Sequence, residues 1–168
     1  CVVRDELINK LNQSSGGELI SVSAPAGYGK TTIVSQWLHA TPHTFCWLSI
    51  DASQSVPAVF WEYVISALQN VIPGVGKQAL NLLKESTDAG LESVVVSLLN
   101  DLDELSTNNN SQEPISLVMD DFHRLDNPAI LTLMNLFLDH LPPGIRLVLT
   151  SRSEPELSLA KRRANNQL

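Results

Sequence analysis

The chain's clearest chemical pattern lies at residues 23–32, which read Ser-Ala-Pro-Ala-Gly-Tyr-Gly-Lys-Thr-Thr. They follow the phosphate-binding pattern G-x-x-x-x-G-K-[ST], with Ala24 in place of the first glycine. An apolar run precedes the pattern at 19–22, and the pattern leads into Ile-Val-Ser-Gln-Trp-Leu at 33–38, which favours strand, loop and helix in that order. An ordinary glycine-rich turn is the alternative, but these flanks predict a nucleotide phosphate site.

Each residue type in this loop suits a phosphate. Gly27 and Gly29 permit a tight turn whose N–H groups point inward, and the following helix adds its unpaired N–H groups. Lys30 is long enough to reach the β- and γ-phosphates, and the Thr31 hydroxyl is suited to ligate Mg²⁺. The predicted nucleotide-binding residues of the loop are Ala26, Gly27, Tyr28, Gly29, Lys30, Thr31 and Thr32.

A second group of chemical residues follows the apolar run 115–119. Asp120 ends that run, so its carboxylate is expected at the carboxyl edge of the sheet, beside the phosphate loop. Asp120 is therefore predicted to be the Mg²⁺-side acid, acting through water. Asp121 could orient or deprotonate the attacking water. The alternative is a pair of capping or surface aspartates after a core strand.

A third group ends the apolar run 147–149. Arg152 could present its guanidinium to the γ-phosphate, either to distinguish ATP from ADP or to stabilise transition-state charge. A surface arginine at the sheet edge is the alternative. His123 could contact phosphate, although a histidine satisfied by neighbouring backbone is favoured.

Composition limits the classes of function. The 168 residues are 43% hydrophobic and 17% charged, which is typical of one globular domain. A net charge of −7 argues against this segment gripping DNA or an anionic membrane, and the basic cluster 161–163 is interpreted as a solvated helix face. Cys1 and Cys46 make no disulfide framework, and no run is long enough to cross a bilayer. We therefore expect a cytoplasmic protein, and the start at Cys1 suggests a fragment of a longer one.

The elements that must position these residues alternate along the chain. Strands are predicted at 18–23, 44–50, 115–119 and 146–150. Helices are predicted at 2–11, 29–39, from Ser55-Pro57 to before Pro73, 78–84, 91–105, 127–140 and from about residue 155. A polar surface loop is expected at 106–114. The alternation predicts a three-layer α/β/α fold with a parallel sheet.

Two other classes of phosphate-binding protein are disfavoured. Small GTPases normally carry a glycine at the third position after the metal acid and an N-K-x-D motif, and neither is found here. A metabolic kinase normally carries a lid with several arginines, whereas the late part of this chain offers only Arg152 and the cluster 161–163.

With these motifs in order, the chain resembles the STAND class of signalling P-loop ATPases. The stretch VVRDEL at 2–7, the loop PAGYGKTT, Gln36-Trp37, the acidic motif DDFH and the final LTSR all match in sequence order. Within that class the chain is most similar to the large ATP-dependent LuxR-type transcription regulators.

The resemblance implies roles for individual residues. Lys30 and Thr31 would hold phosphate and Mg²⁺, with Asp120 as the Walker-type metal acid. Asp121 would be the hydrolytic acid and Arg152 the γ-phosphate sensor. The backbone near Val3 and Arg4 would lie against adenine, although Val3 stands where the family often has glycine. ATP binding and hydrolysis would switch the protein between an ADP-bound resting monomer and an ATP-bound, self-associating form.

The resemblance also implies what lies outside the chain. Residues 1–168 would form one P-loop NTPase domain with four strands, and a fifth strand, helical lid, winged helix, sensor repeats and DNA-binding helix-turn-helix would follow. DNA would be contacted only through that later region, and nucleotide affinity would be weak without the lid. Slow hydrolysis and a module that holds ADP with negligible turnover both remain open.

Overall fold

A parallel β-sheet forms the centre of the computed structural model. The model describes residues 19–40, 42–108 and 113–157, together with Glu6, Ile8, Asn9 and Leu11 of a helical stretch before them. The four strands of the sheet lie in the order β1-β4-β3-β2, and every neighbouring pair is parallel. These strands are β1 (Leu19–Ser23), β2 (Phe45–Ser49), β3 (Ile115–Asp120) and β4 (Ile145–Ser151). The predicted parallel α/β fold is confirmed.

Helices cover both faces of this sheet. They are α1 (Lys30–Ala40), α2 (Pro57–Gln69), α3 (Lys77–Glu85), α4 (Leu91–Asn108) and α5 (Pro128–Asp139). Val118 of β3 belongs to a cluster with Val34 and Trp37 of α1. Leu117, its neighbour in β3, belongs to the larger core that contains residues of α2, α4 and α5. Because successive strand residues point to opposite faces, the two clusters are the two interfaces of a three-layer structure.

The strand order brings the chemical residues to one edge. β4 is buried at every position, and β3 is buried from Ser116 onward, as expected for central parallel strands covered on both sides. In the register, Ser23 pairs with Ser151 and Ser49 pairs with Asp120. The carboxyl ends of all four strands therefore meet where the loop after β1 turns into α1.

The start of α2 differs from the sequence prediction. Ser55 was expected to cap this helix, but its N-cap is Val56, which makes no side-chain hydrogen bond, and Pro57 occupies the first turn. Ser55 instead ends a short 3₁₀ turn, Ala52–Ser55, which is closed by a capping box between Asp51 and Gln54. Ser55 therefore belongs to the 3₁₀ turn and does not cap α2.

Two further predicted boundaries are wrong. The loop expected at 106–114 starts later, because α4 continues to Asn108. Ser106 and Thr107 donate their hydroxyl protons to carbonyl oxygens of the preceding turn, so these polar side chains are satisfied within the last turns of the helix. The helix expected from about residue 155 is not found over 155–157, and its remainder, with the basic cluster 161–163, lies outside the described residues. No helix in the described ranges combines the length and the apolar character needed to cross a membrane.

Cys46 is a buried core thiol in β2. Its side chain is almost fully covered, and burial raises the thiol pKa from 9.0 to about 12. A thiol in this state carries almost no reactive thiolate at neutral pH. The prediction that Cys46 is a core residue is confirmed.

We expect Cys46 to react slowly in the folded protein. In a Cys1→Ser variant, Cys46 should react with a thiol reagent at pH 8 on the order of a thousandfold more slowly in the native protein than in denaturant. The reason is that the Cys46 pKa is about 12 in the folded protein and 9.0 in the unfolded chain. The reaction can be followed by absorbance at both conditions. Equal rates would contradict the buried position.

Gly76 is required at the start of α3. Its φ is +71°, and an added Cβ would lie 2.6 Å from Cγ2 of Ile65 in α2. Its N–H donates to Oδ2 of Asp101 in α4 at 2.8 Å, so the close backbone approach joins three helices. Gly74 has a similar φ of +87°, but there an added Cβ would meet only Lys77 Cε at 3.9 Å.

This pair of glycines separates strain from steric overlap. Gly74→Ala should cost about 1 kcal/mol in the free energy of unfolding, from the left-handed backbone alone. Gly76→Ala should cost at least about 2 kcal/mol, because overlap with Ile65 adds to the same backbone cost. Urea unfolding of both variants measures the difference, and equal losses would contradict the close approach at Gly76.

Candidate nucleotide phosphate site

The loop between β1 and α1 has the backbone that the motif predicts. Gly27 and Gly29 have φ of +84° and +70°, whereas Ala24 lies outside the left-handed region. The Ala24 N–H donates to the Ser151 carbonyl at 3.2 Å, which continues the β1–β4 ladder into the loop. Alanine therefore serves at the first motif position, because the left-handed turns come later.

The open face of this loop fits a phosphate. A Cβ built on Gly27 or Gly29 would meet no protein atom within 4 Å, so glycine is needed there for backbone conformation and not for internal packing. Tyr28, between them, is 70% exposed. The loop is thus open next to the N-terminus of α1, where unpaired N–H groups attract anions.

Lys30 lies inside the loop. It is the first residue of α1, it is 8% exposed, and its Nζ donates to the carbonyl oxygens of Ala24 at 2.5 Å and Pro25 at 3.0 Å. These contacts hold the Lys30 amino group against the backbone at the start of the loop. The position is suited to a β- or γ-phosphate.

Thr31 and Asp120 come together as the sequence predicts. The Thr31 hydroxyl donates to Oδ1 and Oδ2 of Asp120, at 2.9 and 3.1 Å, and the Asp120 side chain is almost fully buried. A hydroxyl and a carboxylate are oxygen donors of the kind Mg²⁺ prefers. Within the described ranges, no group of three or more His, Cys, Asp or Glu could hold a metal ion.

Asp121 occupies a left-handed turn immediately after β3. Its φ and ψ are +61° and +40°, and it is the one non-glycine residue of the described ranges with positive φ. Its N–H donates to Thr150 Oγ1 at 3.0 Å. Its carboxylate remains partly exposed, with Arg124 Nε 3.6 Å from Oδ2 and His123 Nδ1 4.0 Å from Oδ1.

His123 links the acidic turn to the loop after β4. Its Nδ1 accepts the backbone N–H of Arg152 at 3.3 Å, so the prediction of a histidine satisfied by backbone is confirmed. Burial lowers the pKa of His123, the Asp121 carboxylate opposes this, and the cations Arg152, Arg124 and Lys30 add to the lowering. The neutral ring, with Nδ1 as acceptor, is therefore the form that this contact requires.

The outcome for the remaining predicted residues is mixed. Arg152 lies one residue past β4 with an exposed side chain, so its role as a γ-phosphate sensor stays a prediction. Val3 and Arg4 lie outside the described residues. Sequence reasoning missed Thr150, which contacts both acids, and Arg124. The two hydroxyl residues that follow the apolar run 147–149, Thr150 and Ser151, were the available signal for Thr150.

Comparison with known proteins decides the family. A family model described as an AAA ATPase domain matches residues 1–149. This chain belongs to that family. Over 167 residues it is 34% identical to the HTH-type transcriptional regulator MalT of Klebsiella pneumoniae and 36% identical to that of Serratia proteamaculans. Each match covers 99% of this chain but 18% of the relative, so the chain spans less than a fifth of these regulators.

Solved structures agree on the fold. A chain from the structure of Drosophila ORC bound to DNA aligns over 95% of this chain and 39% of its own length, with a TM-score of 0.54 and 15% identity. At that identity the likeness shows the fold alone. The resemblance drawn from the motifs is confirmed: the chain is an ATPase domain similar to the part of the MalT regulators that it matches.

The His123 contact predicts a measurable titration. Its folded pKa lies below 6.5, so the unfolded chain takes up a proton first as the pH falls, and His123 lowers stability from about pH 6.5 downward. By NMR of the imidazole, Asp121→Asn should lower the pKa further and Arg152→Gln should raise it, because the first change removes a nearby negative charge and the second a positive one. A shift in the opposite direction in either variant would contradict the geometry.

Proposed function

We propose that this chain is the ATP-binding and slowly hydrolysing switch module of a transcription regulator. One observation carries the proposal: the phosphate loop, the Thr31–Asp120 pair and the Asp121 turn all lie at one edge of the sheet. The family and the MalT relatives support an ATPase domain of a regulator. The nucleotide identity and the rate of hydrolysis belong to the proposal.

The residues divide the chemistry among them. Loop N–H groups and Lys30 would hold the phosphates and stabilise the charge that develops on them. Thr31 and Asp120 would hold Mg²⁺, which when bound supplies positive charge that polarises the phosphoryl group. Asp121 would orient a water molecule and accept its proton as the bond from the γ-phosphorus to the bridging oxygen breaks, with ADP leaving.

Arg152 and the N-terminal segment complete the proposed site. The Arg152 N–H is already held by His123, so its side chain could reach toward the γ-phosphate from a fixed base. Backbone near Val3 and Arg4 would lie against adenine, as in the family that the motifs resemble. ATP or ADP and Mg²⁺ are the proposed ligands.

The context of the whole protein is also part of the proposal. Residues 1–168 would form one P-loop domain of a longer cytoplasmic regulator, which self-associates when ATP-bound. DNA would be contacted by another region, a division supported by the net charge of −7 on this chain. The printed description of the relatives as HTH-type regulators supports the same division.

A module that holds ADP with negligible turnover is the second candidate. The position of Arg124 favours it, since its Nε lies 3.6 Å from the Asp121 carboxylate and offers that group a partner other than water. A single-turnover assay with radiolabelled ATP on the full-length protein separates the two candidates. Release of labelled phosphate from bound ATP supports the switch. Bound nucleotide that remains ATP throughout the assay supports the binding module.

Substitution of Asp121 tests the hydrolytic assignment. In the full-length protein, Asp121→Asn should lower the single-turnover rate by about a hundredfold or more, because the general base is lost. ATP affinity should stay within about threefold, since Asp121 holds no phosphate. Asp126→Asn removes the same charge from an exposed position on the same edge and serves as the matched control. Normal hydrolysis by Asp121→Asn would reject the role.

A further inference from the structure

Thr150 is a buried hydroxyl between the two acids of the site. It is the last residue but one of β4, and its side chain is fully covered. Its Oγ1 donates to Oδ1 of Asp120 and accepts the N–H of Asp121 at 3.0 Å. One hydroxyl thus contacts the side chain of the first acid and the backbone of the second.

The Asp121 backbone needs such a partner. A left-handed conformation is unfavourable for a residue with a Cβ, and it persists where the surroundings hold it in place. The turn is closed on one side by the Arg124 N–H, which donates to the Asp121 carbonyl at 3.0 Å. On the other side the Asp121 N–H donates to Oγ1 of Thr150. These two contacts determine the direction in which the Asp121 side chain leaves the sheet edge.

Only a hydroxyl suits this position. A serine or threonine oxygen donates one proton and accepts others, so it can serve a carboxylate and an N–H together. Valine has nearly the same shape, yet it would leave the Asp121 N–H without an acceptor and Asp120 with one donor fewer. Burial makes both losses matter, because water does not replace the hydroxyl.

We propose that Thr150 is a positioning residue for ATP hydrolysis. It holds Asp120 in the orientation that faces Thr31, and it fixes the turn that aims the Asp121 carboxylate at the attacking water. The inference rests on the proposed function. It assigns no contact between Thr150 and nucleotide, so its effect belongs to the rate of hydrolysis and not to nucleotide affinity in the absence of Mg²⁺.

The test compares Thr150→Val with Thr150→Ser in the full-length protein. Single-turnover hydrolysis and ATP affinity in EDTA are measured for both. Hydrogen-exchange mass spectrometry of a peptide covering residues 119–123 reports the Asp121 amide without any nucleotide. Ser151→Ala is the matched control, since the Ser151 Oγ is buried one residue away and has no hydrogen-bond partner within the described ranges.

We expect T150V to hydrolyse ATP at least about tenfold more slowly, because the Asp121 carboxylate would no longer be held in line with the attacking water. The Asp121 amide should exchange about tenfold faster, and affinity in EDTA should stay within about twofold. T150S should keep the hydrolysis rate and the Asp121 amide exchange rate close to those of the parent protein, and S151A should match the parent in both. If T150V does not fold, Thr150→Cys takes its place, because a cysteine side chain is similar in size to serine but forms only weak hydrogen bonds.

Two outcomes overturn the inference directly. One is a folded T150V with parental hydrolysis or an unchanged Asp121 amide, and the other is an equal loss in S151A. A parent protein that binds ATP but shows no turnover would reject the proposed hydrolysis itself, and the catalytic role of Thr150 with it. The exchange data identify that case, because faster exchange in T150V would then occur without any activity to lose.

Discussion

The Asp120 carboxylate is the group on which the arrangement of this site depends. A buried carboxylate is costly unless hydrogen bonds compensate for lost water, and Asp120 receives them from Thr31 and Thr150. Thr31 belongs to α1, Asp120 ends β3, and Thr150 lies in β4. One buried charge therefore joins the phosphate-loop helix to the two central strands. Movement of any of these three elements would remove at least one of the hydrogen bonds that compensate for the burial of this carboxylate.

The sheet order makes this junction possible. β4 lies between β1 and β3, so the strand that precedes the phosphate loop is not adjacent to the strand that carries the acids. The intervening strand supplies Thr150 toward Asp120 and the Arg152 backbone toward His123. The two acids of the candidate site and the turn that follows them are thus connected to β4 and to the loop after it by direct hydrogen bonds.

The site also brings several cations close to its acidic turn. Lys30, Arg124 and Arg152 act together on His123, and Arg124 lies beside the Asp121 carboxylate. Cations of this kind attract a bound phosphate. The Arg124–Asp121 pair is exposed, so it contributes little to stability. Its consequence is local, because it gives the Asp121 carboxylate a charged partner at the candidate site.

The amino-acid sequence by itself determined the local elements and the identity of the chemical residues. Gly27 and Gly29 mark left-handed turns because other residues rarely adopt them, and a largely apolar strand before Asp120 indicates burial on both faces. Such patterns are local, so the loop, the strands and the parallel fold could be predicted. The same local reasoning failed at Ser55 and at residues 106–108, where neighbouring side-chain hydrogen bonds moved the ends of helices.

Only the tertiary structure decided which residues share a contact. Thr150 lies 30 positions from Asp120 in the sequence, and Thr31 lies 89 positions from Asp120. No periodicity relates positions so far apart. The left-handed backbone of Asp121 was likewise hidden, because aspartate is compatible with many conformations and the turn is held by a partner on another strand. Strand pairing set these distances, and pairing depends on the packing of the whole sheet.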